Sequence, residues 1–172
     1  NTPIIFDESC DIKVAVSSVI HSKTFDNGTI CASEQSVIVD ASIYEEVKKE
    51  FRARKAYIAE GEELVKLKKI VLGANGSMNA KLVGRPAIEI AQEAGFEVPA
   101  DTKLIIGEAT STDISEPLAH EKLFPLLSMY KAEDFDDAVD KADELVQGGG
   151  IGHTAGIYID VVNNQEKLNE FE

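Results

Sequence analysis

Short apolar runs along this chain alternate with stretches whose apolar residues recur every three or four positions, the pattern of strands trading with amphipathic helices. Pro3-Ile4-Ile5-Phe6 predicts a strand, and Asp7-Glu8-Ser9 after it can cap a helix on which Ile12, Ala15, Val16, Val19 and Ile20 share one face. Asp26-Asn27-Gly28 breaks that helix, because Asn and Gly tolerate the positive φ of a tight turn. SVIVD at 36–40 predicts a buried strand. Ser42 and Glu45 match a capping box ahead of the stripe Ile43, Val47 and Phe51. A further helix carries Leu64, Leu67 and Val71 and stops at Gly73, where 73–77 reads as a loop. Pro86 suits a helix's first turn, and Ile90, Ala91 and Ala94 lead to a C-terminal stop at Gly95. Strands are expected at 103–107, 126–130 and 155–160, with a helix on Phe135, Ala138, Val139, Ala142 and Val146 and a helix start in the last ten residues. The alternation predicts a single α/β domain over 1–172, a mainly parallel sheet with flanking helices.

The chain has 172 residues, 44% apolar and 28% charged, enough for a buried core and too apolar for disorder. No stretch approaches the roughly 18 apolar residues of a membrane span, so no membrane partner is expected. The opening Asn1-Thr2-Pro3 reads as a strand entered directly, which suggests a piece of a longer protein. A formal charge of −14, from 17 basic and 31 acidic residues, repels a phosphate backbone and argues against nucleic acid. Two cysteines without a CxxC spacing and three scattered histidines give neither a disulfide framework nor a metal site, and a cytoplasmic setting is expected.

Gly150-Ile151-Gly152-His153-Thr154-Ala155 spells G-x-G-x-x-A, but a dinucleotide fingerprint needs a strand before it and a helix after it. Here the predicted order is reversed, so the run is set aside. Cys31 is the more informative residue. It lies in TFDNGTICAS, 24–33, beyond a Gly turn and among small neighbours that let a carbonyl approach the sulfur. Free N–H groups beside the turn suit a thiolate and an oxyanion; a small buried hydrophobe is the competing reading.

FDNGTICASEQS, 25–36, closely resembles the nucleophile segment of the CoA-acylating acetaldehyde dehydrogenase domain in bacterial bifunctional aldehyde–alcohol dehydrogenases, within the aldehyde dehydrogenase superfamily. NTPIIFDESCDIKVAV, KLVGRPAIEIAQEAGFEVP, IGEAT, EPLAHEKLFPLLSMYKAEDFDDAV and GGGIGHTAGIYID follow the same family in order, so the resemblance spans essentially the whole chain.

The resemblance implies the catalytic-domain fold of that family and an NAD-dependent, reversible conversion of acetaldehyde and coenzyme A to acetyl-CoA. Cys31 falls on the nucleophile, which forms a hemithioacetal and then a thioester, with its own N–H in the oxyanion hole. Glu121 falls on the glutamate that holds the nicotinamide ribose, and Phe124 on a residue packed near the nicotinamide. The run Glu121-Lys122-Leu123-Phe124-Pro125 lacks the family's Gly between Phe and Pro, which puts the local backbone in question. A solvated surface glutamate is the alternative for Glu121. His153 falls on a histidine of the CoA-acylating branch, able to orient or deprotonate the CoA thiol, with a capping or core role as the alternative. His21, His120 and Cys10 are expected to be structural. The family's NAD-binding domain would lie upstream and its alcohol dehydrogenase half downstream, so the 172 residues alone are expected to be inactive, and the parent to form a homo-oligomer or filament. Rival readings are a semialdehyde or acyl-phosphate reductase of the same superfamily, and a non-enzymatic assembly module.

Overall fold

A computed structural model describes residues 1–172. Six strands form one all-parallel sheet in the order β3-β4-β5-β2-β1-β6: β1 Pro3–Phe6, β2 Ser36–Asp40, β3 Ala56–Ala59, β4 Leu104–Glu108, β5 Leu126–Ala132 and β6 Gly156–Tyr158. Helices α1 Ile12–Thr24, α2 Tyr44–Ala53, α3 Gly61–Val71, α4 Ala87–Ala94, α5 Phe135–Gly149 and α6 Gln165–Phe171 connect or follow them. A parallel sheet covered on both faces needs apolar residues on both, which is why SVIVD is a continuous run and not an alternation. Val37 and Val39 pack with α1 and α2 through Val16, Val19, Val47 and Phe51. Ile38, between them, points to the opposite cluster with Leu67 of α3, Ile90 of α4 and Leu145 of α5.

Several boundaries differ from the pattern-based expectation. The cap of α1 is Asp11, whose side chain accepts from Val14 N–H at 3.0 Å. Asp7 instead accepts from Ser9 N–H and Oγ–H. The Ser42–Glu45 capping box does not form: Ser42 Oγ donates to Asp40 Oδ1 at 2.6 Å, and Ile43 occupies the cap position. Pro86 sits at the cap of α4, one residue earlier than expected, and Gly95 closes that helix at φ +84°. Strand β3 has no counterpart in the expected elements.

Register fixes what matters for function. Pro3 pairs with Ser36, Ser36 with Ser128, and Ile4 with Gly156, so the entries to β1, β2, β5 and β6 lie along one end of the sheet. The loop bearing Cys31 enters β2, the fourth of six strands in spatial order.

Candidate active site

The loop bearing Cys31 begins where α1 ends. Asp26, Asn27 and Gly28 all take left-handed backbone, with φ of 48°, 50° and 78°. Three such residues in succession reverse the chain sharply, and Asp, Asn and Gly are the types that tolerate it. Thr29 Oγ donates to Asp26 O at 3.0 Å or to Asp26 Oδ2 at 2.8 Å. Ser33 N–H and Oγ–H both bond Ile30 O, at 3.0 and 2.7 Å. With both shoulders fastened, Cys31 sits exposed between them, and its backbone N–H has no partner in the chain. Phe25 and Ile30 of the same loop are exposed as well.

Below this loop the chain is strongly cross-braced. Gln35 N–H donates to Thr2 O at 2.9 Å, and Gln35 Oε1 accepts from Lys23 Nζ at 3.0 Å and Lys122 N–H at 2.8 Å. Gln35 thus joins the cysteine loop to the segment carrying Glu121. Lys23 and Lys122 are fully buried. Lys23 Nζ donates to Gln35 and to Lys122 O, and Lys122 Nζ to the carbonyls of Leu118 and His120. Two acceptors each match the two N–H bonds of a neutral amine. Burial pushes Lys23 down to about 7, against the pull of Glu34 and Glu121. Burial pushes Lys122 well down too, with the neighbouring Lys23 adding to it.

Thr2, itself buried, reaches the third site segment. Its Oγ lies 3.2 Å from Cys31 O and 3.1 Å from His153 Nδ1. The cysteine and the histidine, 122 positions apart, are therefore linked through one hydroxyl. Glu121 is half-buried and makes no hydrogen bond or ion pair within the chain, which leaves its carboxylate available to a diol. Phe124 lies three residues further on. Its ring is fully buried in the core cluster with Leu118 and Leu126, because the chain turns inward there to start β5. His120 Nε2 and His21 Nδ1 each bond a nearby carbonyl, of Ile114 and Ser17. Cys10 is half-buried, and burial together with Asp7 and Asp11 pushes its thiol up to about 11. The run 150–155 leads into β6 and not into a helix, so it forms no dinucleotide cradle.

Sequence reasoning missed Thr2, Gln35 and the buried lysines. One signal was present: Val16, Val19, Ile20 and Lys23 stand at i, i+3, i+4 and i+7, which places Lys23 on the buried stripe of α1.

Residues 1–168 match the aldehyde dehydrogenase family. The bifunctional aldehyde-alcohol dehydrogenase of Escherichia coli (strain K12) is 53% identical over 171 residues, 99% of this chain and 19% of that protein. The crystal structure of an acetylating aldehyde dehydrogenase from Geobacillus thermoglucosidasius is 41% identical, with a TM-score of 0.94 over 99% of this chain and 37% of its own. A propionaldehyde dehydrogenase of Rhodopseudomonas palustris, solved with bound CoA and an acylated cysteine, is 26% identical with a TM-score of 0.86 over 99% of this chain and 38% of its own. The chain spans about a fifth of the length of the curated aldehyde-alcohol dehydrogenases it matches.

Proposed function

The chain belongs to the aldehyde dehydrogenase family, and from that premise we propose that it is the cysteine-bearing catalytic domain of a CoA-acylating acetaldehyde dehydrogenase, with Cys31 as nucleophile. One observation carries the reading: an exposed thiol and its own unpartnered backbone N–H share a loop held rigid on both sides. The Cys31 thiolate forms a C–S bond to the aldehyde carbon, and the negative charge arriving on the carbonyl oxygen is met by the Cys31 N–H. NAD, when bound, supplies the hydride acceptor that turns this adduct into a Cys31 thioester. Glu121 has the free carboxylate to hold the ribose hydroxyls, whereas Phe124 supports the segment from beneath. The thiolate of coenzyme A then bonds to the acyl carbon as the bond to the Cys31 sulfur breaks, which returns the nucleophile.

A thiol co-substrate is favoured over water by the likeness to the acetylating Geobacillus enzyme and to the Rhodopseudomonas enzyme, which holds bound CoA and an acylated cysteine. Exposed Ile151, Val161 and Val162 around the edge strand β6 support assembly of the full-length gene product into an oligomer or filament. The test is direct. With acetaldehyde, NAD and coenzyme A, the full-length product should form acetyl-CoA, Cys31→Ala should form none, and iodoacetamide should modify Cys31 well before Cys10. Acetyl-CoA formation by the Cys31→Ala variant would overturn the assignment.

A further inference from the structure

His153 is held by two groups on one ring nitrogen. Thr154 backbone N–H donates to His153 Nδ1 at 2.9 Å, and Thr2 Oγ stands 3.1 Å from the same atom. A backbone N–H is a permanent donor, so it favours a lone pair on Nδ1 over a proton there. The neutral ring then has its proton on Nε2. Thr2 cannot accept from Nδ1 in this state. Its single hydroxyl hydrogen is shared between Nδ1 and Cys31 O, which lies 3.2 Å away. Thr2 is buried and its own carbonyl is fastened to Gln35 N–H at 2.9 Å, so the hydroxyl is delivered from a fixed point at the start of β1.

We propose that Thr2 is a positioning residue that, with the Thr154 N–H, fixes His153 as the Nε2–H tautomer and ties it to the nucleophile loop, so that His153 serves the incoming thiol as a hydrogen-bond donor and not as a base. This rests on the function proposed above and selects between the two roles open to His153. To act as a base, Nε2 would have to give up its proton to Nδ1, setting an N–H against the Thr154 N–H. As a donor, Nε2–H stabilises the thiolate form of the attacking sulfur, a charge-assisted bond. No base is consumed in the exchange. The acyl group passes from the Cys31 sulfur to the incoming sulfur, one C–S bond breaks as one forms, and the proton lost by the incoming thiol to solvent is balanced by the thiolate that departs. The Thr2 hydroxyl, within reach of both Cys31 O and His153 Nδ1, keeps donor and thioester in one frame.

The experiment uses the full-length gene product, labelled with ¹⁵N in its histidine rings, with Thr2→Val and Thr2→Ser variants. At pH 8 the His153 signal, assigned by its loss in His153→Gln, should report a single Nε2–H tautomer in the unsubstituted protein and in Thr2→Ser, and a mixture in Thr2→Val. In rapid mixing, NADH formed from acetaldehyde and NAD without coenzyme A reads acylation, and a second mixing with coenzyme A reads transfer. Loss of one neutral hydrogen bond should slow transfer in Thr2→Val about fivefold and leave acylation within about twofold. Thr2→Ser, which keeps the hydroxyl, should restore transfer. An Nδ1–H tautomer in the unsubstituted protein overturns the proposal even if Thr2→Val fails to fold. Equal slowing of both phases, or a transfer rate indifferent to Thr2, overturns it too. Absence of any coenzyme A-dependent phase in the unsubstituted protein would instead remove the functional reading, and the tautomer measurement would still stand.

Discussion

Gly28 should be the least replaceable backbone position of the loop that bears Cys31. A Cβ built there would lie 2.7 Å from Phe124 C and 2.9 Å from Phe124 O, with Lys23 O at 3.1 Å. Carbon pairs settle at about 3.5–4.0 Å, so the overlap approaches 1 Å. Phe124 cannot retreat easily. Its carbonyl accepts Leu126 N–H at 2.7 Å, and the neighbouring Leu123 O and Lys122 N–H are bonded to Gly84 and Gln35. Gly95 supplies the control. Its φ of +84° is close to the +78° of Gly28, but a Cβ there meets nothing within 4 Å. Gly95→Ala should therefore lose only the left-handed backbone preference, about 1 kcal/mol. Gly28→Ala should lose that and a further overpacking cost, about 2–4 kcal/mol together. Urea titration of both variants, with unchanged slopes, measures the difference. Because the loop must yield, iodoacetamide labelling of Cys31 should change in Gly28→Ala and stay constant in Gly95→Ala. Equal stability losses in the two variants would refute the close approach between the Gly28 turn and Phe124.

Lys23 gives a pH signature. Its folded value of about 7 lies below the ordinary lysine value of 10.5, so between them the unfolded chain binds more protons and stability rises with pH, by up to about 1.4 kcal/mol per pH unit. Urea midpoints of Lys23→Met should be flatter than those of the unsubstituted chain from pH 7.5 to 9; parallel curves would mean that Lys23 is charged in the fold. On the proposed reading, Glu121→Gln should raise the apparent KM for NAD and leave thiolate alkylation intact; lost alkylation with unaltered NAD dependence would reassign Glu121 to acid–base work. His153→Ala should let a Cys31 thioester accumulate with acetaldehyde and NAD, seen by mass spectrometry of the quenched enzyme, and full activity would make His153 structural. The 172 residues alone should give no NAD-linked oxidation of acetaldehyde, because hydride transfer needs the reacting atoms held to about 3–3.5 Å and a 1 Å misplacement costs about 100-fold. Robust NADH production from them would show that this chain holds the cofactor unaided.

The sheet was legible because burial on both faces leaves unmistakable apolar runs, as in SVIVD and in Leu104–Glu108. Strand β3 was not, since AYIA is four residues at the sheet's edge, with Tyr57 half-exposed and charged residues on either side. Caps failed for a local reason: Asp40 competes for the Ser42 hydroxyl and wins it, leaving Ile43 to start α2 uncapped. At the site, Cys31, Glu121 and His153 stood out through the family resemblance, because each lies inside a long matching segment. Their spatial relation depends on which strands neighbour which, and parallel pairing carries no local signal. Thr2 is invisible for the same reason. Lys23 and Lys122 were passed over because lysine is so seldom fully buried that residue type outweighed position.

Ligands of open parallel sheets usually gather beyond the C-terminal ends of the strands, where helices begin. Here every candidate residue precedes a strand: Thr2 before β1, Cys31 before β2, Glu121 before β5 and His153 before β6. These four strands are neighbours in the order β5-β2-β1-β6. At about 4.8 Å per strand their entries span roughly 14 Å. The rim gives precision without a helix dipole, because each entering loop is fastened to the next strand's start, as Gln35 is to Thr2 and Ser128 to Gln35. It also imposes an order. The Cys31 loop lies between the Glu121 segment on one side and Thr2 with His153 on the other. On the proposed reading, the group that handles the nicotinamide ribose and the group that meets the incoming thiol flank the sulfur from opposite sides. One nucleophile can then be served in succession by oxidation and by acyl transfer, with neither partner's side chain obliged to leave its place for the other.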